Sequence, residues 1–135
     1  MITYTLEPNL SAEDFRDILI ASTLAERRPT QDLARLDKML RNADIIVTAR
    51  TAEAEGKLIG IARAVSDFAY CCYLSDLAVD VAYQKQGIGK KLIAETHRVA
   101  GYSTTLLLVA APAADSYYPK IGMRVYPCFG IPRAS

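Results

Sequence analysis

The sequence predicts an α/β fold, and two observations support that prediction. Strand-like apolar runs alternate with segments of helical apolar spacing along nearly the whole chain. A glycine-containing junction at residues 84–89 then joins a strand-like run to a helix-like one. No repeat, linker or low-complexity tract divides the 135 residues, so we expect one domain over residues 1–135.

The first half of the chain predicts a strand, two helices and a hairpin. Ser11 with Asp14 three residues later resembles a capping box, which opens the first helix. In order, the predicted elements are a strand at residues 2–6, a helix with the apolar face Phe15, Ile18 and Leu19, a second helix through Leu33, Leu36 and Leu40, and strands at 44–50 and 57–65 around a turn at 53–56.

The second half predicts three more strands and two helices. Residues 70–81 form a long central strand, and residues 86–100 form a helix that ends at Gly101. Residues 102–110 follow as a strand whose continuous apolar run, 106–109, is typical of a strand covered on both faces. A short helix at 113–121 is interrupted near Pro119, and a strand at 123–131 closes the sheet.

Residues 84–89, Gln-Lys-Gln-Gly-Ile-Gly, indicate a phosphate-binding turn. The first N–H groups of a helix lack internal partners and carry partial positive charge, and glycine lets them converge on phosphate oxygens. A P-loop is excluded because Gln84 and Lys91 stand where it needs glycine and Ser or Thr. A dinucleotide fingerprint would need glycine in place of Leu92. A plain tight turn before a helix stays open for two glycines alone.

Two motifs in the correct order resemble the GCN5-related N-acetyltransferase (GNAT) family. The run from Leu77 through Gly89, with Gln84-x-x-Gly87-x-Gly89 at its end, resembles the coenzyme A pyrophosphate motif. About thirty residues later, the segment 117–123, Tyr-Tyr-Pro-Lys-Ile-Gly-Met, resembles the second family landmark. The resemblance implies a mixed sheet of six to seven strands with about four helices. Its central strands, here 70–81 and 102–110, splay apart.

The resemblance implies a function as well as a fold. It predicts an acyltransferase enzyme in which acetyl-CoA donates its acetyl group to a primary amine of a small metabolite or peptide by direct attack. Strand backbone would hold the pantetheine and turn amides the diphosphate. The implied coenzyme contacts are Leu77, Ala78, Val79, Gln84, Lys85, Gln86, Gly87, Ile88, Gly89 and Lys90. Charged contacts from Lys85, Lys90 and Lys91 are less favoured than solvation.

Tyr118 is the expected general acid. The Pro-Lys-Ile-Gly spacing after it matches the family landmark, whereas Tyr117 is expected to fill a gap in the core. A phenol of pKa about 10 stays protonated at neutral pH and is able to protonate a departing thiolate. Pro119 departs from the commoner Glu or Lys and affects where the hydroxyl lies.

The general base is not evident from the sequence. Period two places Tyr73, Ser75 and Leu77 on one strand face, so Tyr73 and Ser75 are candidate substrate contacts, although neither is an ordinary base. Asp76 would need a strand bulge to reach that face, and pairing elsewhere is favoured. A water chain, or an acceptor that arrives neutral, would remove the need. His97 is expected in packing or at the surface.

Composition narrows the remaining classes. Sixteen basic and fifteen acidic side chains give a net charge of +1, which disfavours nucleic-acid binding. No apolar run reaches the length of a membrane span and no secretory layout is present, so we expect a cytoplasmic protein. Cys71, Cys72 and Cys128 with His97 match no zinc spacing, which predicts no metal site and reduced cysteines.

Two alternatives to catalysis on a small amine stay open. One is a non-catalytic acyl-CoA-binding module, which the missing base favours. The other is a GNAT-type toxin that acetylates aminoacyl-tRNA, although the sequence shows no basic run. The family resemblance, and no residue by itself, allows a homodimer.

Overall fold

The computed structural model describes residues 1–53 and 56–134 and shows a five-stranded sheet with helices on both faces. The sheet order is β1-β2-β3-β4-β5, antiparallel from β1 to β4, with β5 parallel to β4. The strands are Ile2–Leu6 (β1), Ile45–Thr51 (β2), Leu58–Ser66 (β3), Cys71–Val79 (β4) and Thr105–Leu107 (β5). The helices are Ala12–Ala21 (α1), Leu33–Arg41 (α2), Ile88–Ala100 (α3) and Tyr117–Lys120 (α4), with short 3₁₀ turns at Leu24–Arg27, Val81–Tyr83 and Pro112–Ala114.

The α/β class and the order of elements are confirmed up to α3. Asp14 N–H donates to Ser11 Oγ at 3.1 Å, as the capping prediction requires. Asp32 caps α2 through Arg35 N–H at 3.0 Å, a cap that the sequence reading missed. β2 and β3 pair antiparallel as predicted, while positions 54 and 55 of the predicted turn lie outside the described residues.

Three expectations for the second half are wrong. The described residues form five strands rather than six or seven. β5 has only three residues, and its side chains are half-buried or exposed at the edge of the described sheet. No strand is found at residues 123–131, which therefore do not close the sheet of their own chain.

Two apolar cores lie on opposite faces of the sheet. One packs α1 and α2 against the sheet and contains Phe15, Ile18, Leu19, Leu36 and Leu40. The other packs α3 against β2, β3 and β4. Each face of the sheet is thereby covered over β2 to β4, which leaves β1 and β5 as the edges.

The position of α3 depends on a glycine in β3. A Cβ on Gly60 would lie 3.0 Å from Leu92 Cδ1 and 3.3 Å from Ile88, both buried residues of α3. Only a residue without a side chain lets the first turns of α3 approach the sheet so closely. The N-terminus of α3 is thus held close to the end of β4.

Two kinds of feature are absent from the residues in the described ranges. None of their helices is long and apolar enough to cross a bilayer. No three His, Cys, Asp or Glu side chains in those ranges come together as a metal-binding group would require.

The Ser11 cap gives a test of the α1 assignment. We expect Ser11→Ala to lower the free energy of unfolding by about 1 kcal/mol, because the Asp14 N–H loses its acceptor. Urea unfolding followed by circular dichroism measures the change. Ser103→Ala, at an exposed turn position, is the matched control and should change stability by less than about 0.5 kcal/mol. Equal effects of the two substitutions would contradict the capping assignment.

Candidate active site

A bulge in β4 is the first feature of the site. Arg63 of β3 pairs with Asp76, but the next residue, Ala64, pairs with Leu74, so Ser75 is an extra residue in β4. In a regular strand, Leu74 and Ala78 would share a face. Here Leu74 packs in the α3 core and Ala78 in the α1/α2 core, as an inserted residue requires.

The bulge corrects the predicted faces of β4. Leu77 packs against the α3 core together with Leu74, so it does not share a face with Tyr73 as expected. Asp76 instead shares the face of Tyr73, because the bulge that this requires is present, and it is directed toward the turn that follows α1. The predicted alternation of side chains misses this change, because it assumes that every residue of the strand is paired with a residue of the neighbouring strand.

Asp76 forms a buried ion-pair cluster with two arginines. Its carboxylate is fully buried and accepts from Nε of Arg28 through one oxygen and from Nε of Arg63 through the other. Arg28 also donates to the Ser75 carbonyl at 2.7 Å, and Arg63 donates to Ser75 Oγ at 3.1 Å and to the Met39 carbonyl at 3.3 Å. The cluster therefore joins β3, the bulge and the segment after α1.

β4 and β5 separate beyond the bulge. The two strands pair only from Cys71 to Tyr73, so the rest of β4 has an open edge on the β5 side. Asp80 N–H donates to the Ile59 carbonyl of β3 at 2.9 Å, and by alternation the backbone groups of Leu77 and Val79 point away from β3, toward that open edge. The separation fits the splayed strand pair that the sequence analysis expected.

The start of α3 presents unbonded backbone donors. Gly87 is the N-cap with φ +80°, a conformation that favours glycine, and Lys91 N–H is the first amide to bond back, to the Gly87 carbonyl at 3.1 Å. Within the described ranges, no protein acceptor contacts the N–H groups of residues 84–90. These donors and the positive end of the helix dipole suit an anion, and residues 84–90 are named the anion-binding turn for that prediction.

The two tyrosines of α4 occupy different places. A methyl group on Gly89 would lie 3.3 Å from the Tyr117 hydroxyl and 3.9 Å from Val79 Cγ2, so these three residues meet at one point. Tyr117 is 37% exposed and does not fill the core gap expected for it. Tyr118 is half-buried and packs edge-to-face on Tyr117, with ring centroids 5.2 Å apart. Burial raises the pKa of Tyr118, and Tyr117 adds to the shift.

Comparison with known proteins decides the family. The family model described as an acetyltransferase (GNAT) domain matches residues 42–124, which include β4, the anion-binding turn and both tyrosines.

The chain belongs to the GNAT acetyltransferase family.

Relatives and solved structures agree with this membership. A Glycine max protein named histone acetyltransferase is 37% identical over 109 residues, covering 73% of this chain and 47% of the relative. The chain spans about half the length of the curated relatives it matches. Two solved structures share the fold. A GNAT-family protein of Streptococcus pneumoniae has a TM-score of 0.77 at 23% identity, covering 100% of this chain and 98% of its own. An aminoglycoside N-acetyltransferase in complex with CoA has a TM-score of 0.73 at 17% identity, covering 98% and 94%.

Some of the other predicted coenzyme contacts of this GNAT chain lie near the turn, and others do not. Gln84 Nε2 donates to the Val79 carbonyl at 3.1 Å, which links the turn to the open strand edge. Lys85, with φ +66°, and Lys90 are exposed beside the turn. Lys91 turns away, with its ammonium 5.8 Å from the centroid of the Tyr4 ring. Gln86 is exposed and Ile88 is buried against the sheet, so only the backbone of Ile88 faces the turn.

The predicted substrate contacts have separate roles. Tyr73 is 45% exposed on the face of Asp76, whereas Ser75 is held by both arginines through its carbonyl and hydroxyl. His97 forms no hydrogen bond at the turn. Its Nε2 lies 2.9 Å from the Thr104 carbonyl. Cys72 is buried, which raises the pKa of its thiol, as expected of a structural cysteine.

Two cavities of the described residues lie away from the turn. One, of about 370 Å³, lies between the start of α1 and α2 and includes Ser11, Asp37 and Arg41. The other, of about 270 Å³, lies between Tyr4 and the outer side of α3. The surface beside the anion-binding turn and the open β4 edge is called the groove.

Asp76 gives a test of the cluster. We expect Asp76→Asn to lower the free energy of unfolding by about 3–5 kcal/mol, because two arginines then stay largely buried without a counter-charge. Chemical denaturation measures the loss. The control is Glu95→Gln, which breaks the exposed pair with Arg98 and should cost less than about 1 kcal/mol. A small cost for Asp76→Asn would show that the cluster does not hold the bulge.

Proposed function

We propose that this chain is an acetyl-CoA-dependent N-acetyltransferase that acts on a primary amine of a small metabolite or peptide. The observation that carries the proposal is the convergence of three features at one groove. These are the unbonded amides of residues 84–90, the open backbone edge at Leu77 and Val79, and the Tyr117–Tyr118 pair. Family membership supplies the reaction class that such a groove serves.

The groove suits each part of the coenzyme. The diphosphate is an anion and would accept hydrogen bonds from the amides of the turn, with Lys85 and Lys90 adding positive charge at its rim. The pantetheine arm carries amide groups, and the open edge of β4 offers backbone donors and acceptors at Leu77 and Val79 that an added strand would meet, although the Val79 carbonyl also accepts from Gln84. Gly89 matters because any side chain there would enter the space between Val79 and Tyr117.

The reaction would be direct. The amine nitrogen attacks the thioester carbonyl carbon, the new C–N bond forms and the C–S bond breaks. The thiolate takes a proton from Tyr118, and the proton that the acetylated nitrogen loses returns to Tyr118 through water. A lysine-type amine of pKa about 10.4 is mostly protonated at pH 7, a handicap of about 4.6 kcal/mol. Loss of that proton to water meets this need, since Asp76, the carboxylate of β4, is already paired with Arg28 and Arg63.

A peptide and a small amine are both primary-amine acceptors. The name of the Glycine max relative indicates histones as acceptor for that protein, which favours a peptide lysine. The near-neutral charge of this chain favours a small amine. Acetylation rates of a histone-tail peptide and a panel of small amines, compared at equal concentration, decide between them. We also propose that the protein is cytoplasmic.

A non-catalytic acyl-CoA-binding module is the second candidate, and the neutralised Asp76 favours it. Release of free thiol from acetyl-CoA, measured with and without amines, separates the two functions. Binding of acetyl-CoA without amine-dependent thiol release would support the binding module. No binding at all would contradict both.

Gly89 gives a test of the coenzyme site. We expect Gly89→Val to weaken acetyl-CoA binding at least about tenfold, because the side chain fills the space between Val79 and the Tyr117 hydroxyl. Isothermal titration calorimetry measures the change in Kd. Ala94→Val places the same side chain at an exposed position of the same helix and should leave Kd unchanged. Equal affinity of Gly89→Val and wild type would remove the turn from the site.

The two tyrosines give a test of the acid. We expect Tyr118→Phe to lower kcat on the order of a hundredfold with little change in KM for acetyl-CoA, because the thiolate leaves unprotonated. Tyr117→Phe is the matched control, and a larger loss there would transfer the acid role to Tyr117. Since burial raises the pKa of Tyr118, its proton is retained at neutral pH, and wild-type kcat should fall on the alkaline side only above about pH 10.

A further inference from the structure

Three apolar side chains lie uncovered on the sheet face that carries Asp76. Val65 of β3 pairs with Tyr73 of β4, and Tyr73 pairs with Leu107 of β5, so the three side chains stand next to one another on one face. Val65 is 45% exposed, Tyr73 is 45% exposed and Leu107 is 41% exposed. We call these three residues the apolar row. The row is a surface on which an apolar group of a ligand can pack.

The ion-pair cluster separates the apolar row from the core beneath α1 and α2. Along β3, Ile61 lies in that core and Arg63 lies in the cluster, and the row follows. Along β4, Ala78 and Asp76 take the same order before Tyr73. The core therefore ends at the cluster, and α1 and α2 leave the face beyond it open.

The apolar row lies where β4 and β5 begin to separate. Tyr73 and Leu107 are the last paired residues of the two strands, and β4 is open from there toward the anion-binding turn. A coenzyme with its diphosphate at that turn and its arm along Leu77 and Val79 would direct its thioester toward the paired end. The proposed reaction would therefore take place next to the row.

The opposite face of the sheet is closed at this point. Cys72 is 1% exposed and Leu74 is 2% exposed, and both pack in the α3 core. Tyr73 lies between them in the strand and faces the other side. An amine that reaches a thioester at the paired end of β4 and β5 therefore approaches over the apolar row.

The charges around the row disfavour a second cation on the acceptor. The cluster contains the two guanidinium groups of Arg28 and Arg63 and one carboxylate, so positive charge is in excess, and the side chain of Arg28 is 21% exposed. At the other end of the row, the carboxylates of Asp44 and Asp67 accept from backbone amides around the β3–β4 hairpin. An acceptor with a single amine on an apolar body matches both the row and these charges.

We propose that the acceptor is a primary amine on an aromatic or branched apolar body, and that the apolar row selects it. This inference rests on the proposed function and names the substrate class of that same site. The row packs against the apolar body and leaves the amine next to the thioester. Loss of water around an ammonium group, close to two guanidinium groups, lowers the pKa of that ammonium. The same surface thereby increases the fraction of neutral amine, which reduces the need for a general base.

The first experiment compares three acceptors through the release of thiol from acetyl-CoA. Phenethylamine carries its amine on an aromatic body, cadaverine carries a second cation, and a lysine peptide without aromatic residues carries its amine on a polar chain. We expect kcat/KM for phenethylamine to exceed that for each of the other two by at least about tenfold, because one aromatic ring is removed from water on the row.

The second experiment tests the row by substitution. Tyr73→Ser should raise KM for phenethylamine at least about tenfold and leave Kd for acetyl-CoA unchanged, because the ring is lost and the coenzyme contacts are not. Tyr70→Ser is the matched control, since Tyr70 is 80% exposed and lies on the opposite face by alternation, so both constants should keep their wild-type values. Val65→Asp should raise kcat/KM for cadaverine relative to phenethylamine at least about tenfold, because it places a carboxylate in the row.

The outcomes distinguish this proposal from the proposed function. Preference for phenethylamine that is lost in Tyr73→Ser and kept in Tyr70→Ser would support the selection by the row. Turnover of all three amines without that preference, or equal effects of the two substitutions, would overturn the acceptor class alone. Binding of acetyl-CoA without thiol release for any of the three amines would overturn the proposed function, and the acceptor class with it.

Discussion

The buried carboxylate of Asp76, held between Arg28 and Arg63, is the interaction on which the arrangement of the site depends. A charge in that position is tolerated only while it is paired, so the two arginines and the carboxylate fix one another. The hydrogen bonds from both arginines to Ser75 hold the extra residue of the bulge in place. The bulge in turn decides which side chains of β4 face each core and where β4 becomes free of β5. The proposed coenzyme site is thus positioned by a cluster whose one carboxylate is fully engaged by two arginines.

The second constraint is the close approach of α3 to the sheet. Because Gly60 has no side chain, Leu92 and Ile88 pack directly on the surface of β3. This contact fixes the distance between the first turn of α3 and the sheet beside Val79. The donors of the turn then lie next to the open strand edge, and Gly89 leaves room for Tyr117 between them. Three glycines therefore have different roles. Gly60 allows α3 to pack closely on the sheet, Gly87 begins α3, and Gly89 leaves the space beside Val79 and Tyr117 free of a side chain.

Features that are encoded by neighbouring residues are predicted correctly from the sequence. Features that depend on contacts between distant residues are not. The caps, the helix faces and the turn at residues 84–89 are encoded within about four residues, so their prediction from spacing succeeds. The bulge requires knowledge of β3, since it exists only as a mismatch between two strands. Arg28 and Asp76 are 48 residues apart, and no periodicity links them. The place of Tyr117 over Gly89 is likewise a tertiary contact, and the motif spacing that favours Tyr118 contains no information about it.

The failed strand predictions have a different cause. Residues 106–109 and 123–131 both have strand-like sequences, and a sequence that folds well is expected to agree with its structure at every level. Both segments remain largely uncovered, so strand-like composition alone does not place them in a full-length strand. The short helix α4 lies between them and has no buried residue of its own. Its two tyrosines are therefore positioned by the segments on either side of α4 and by their contact with each other.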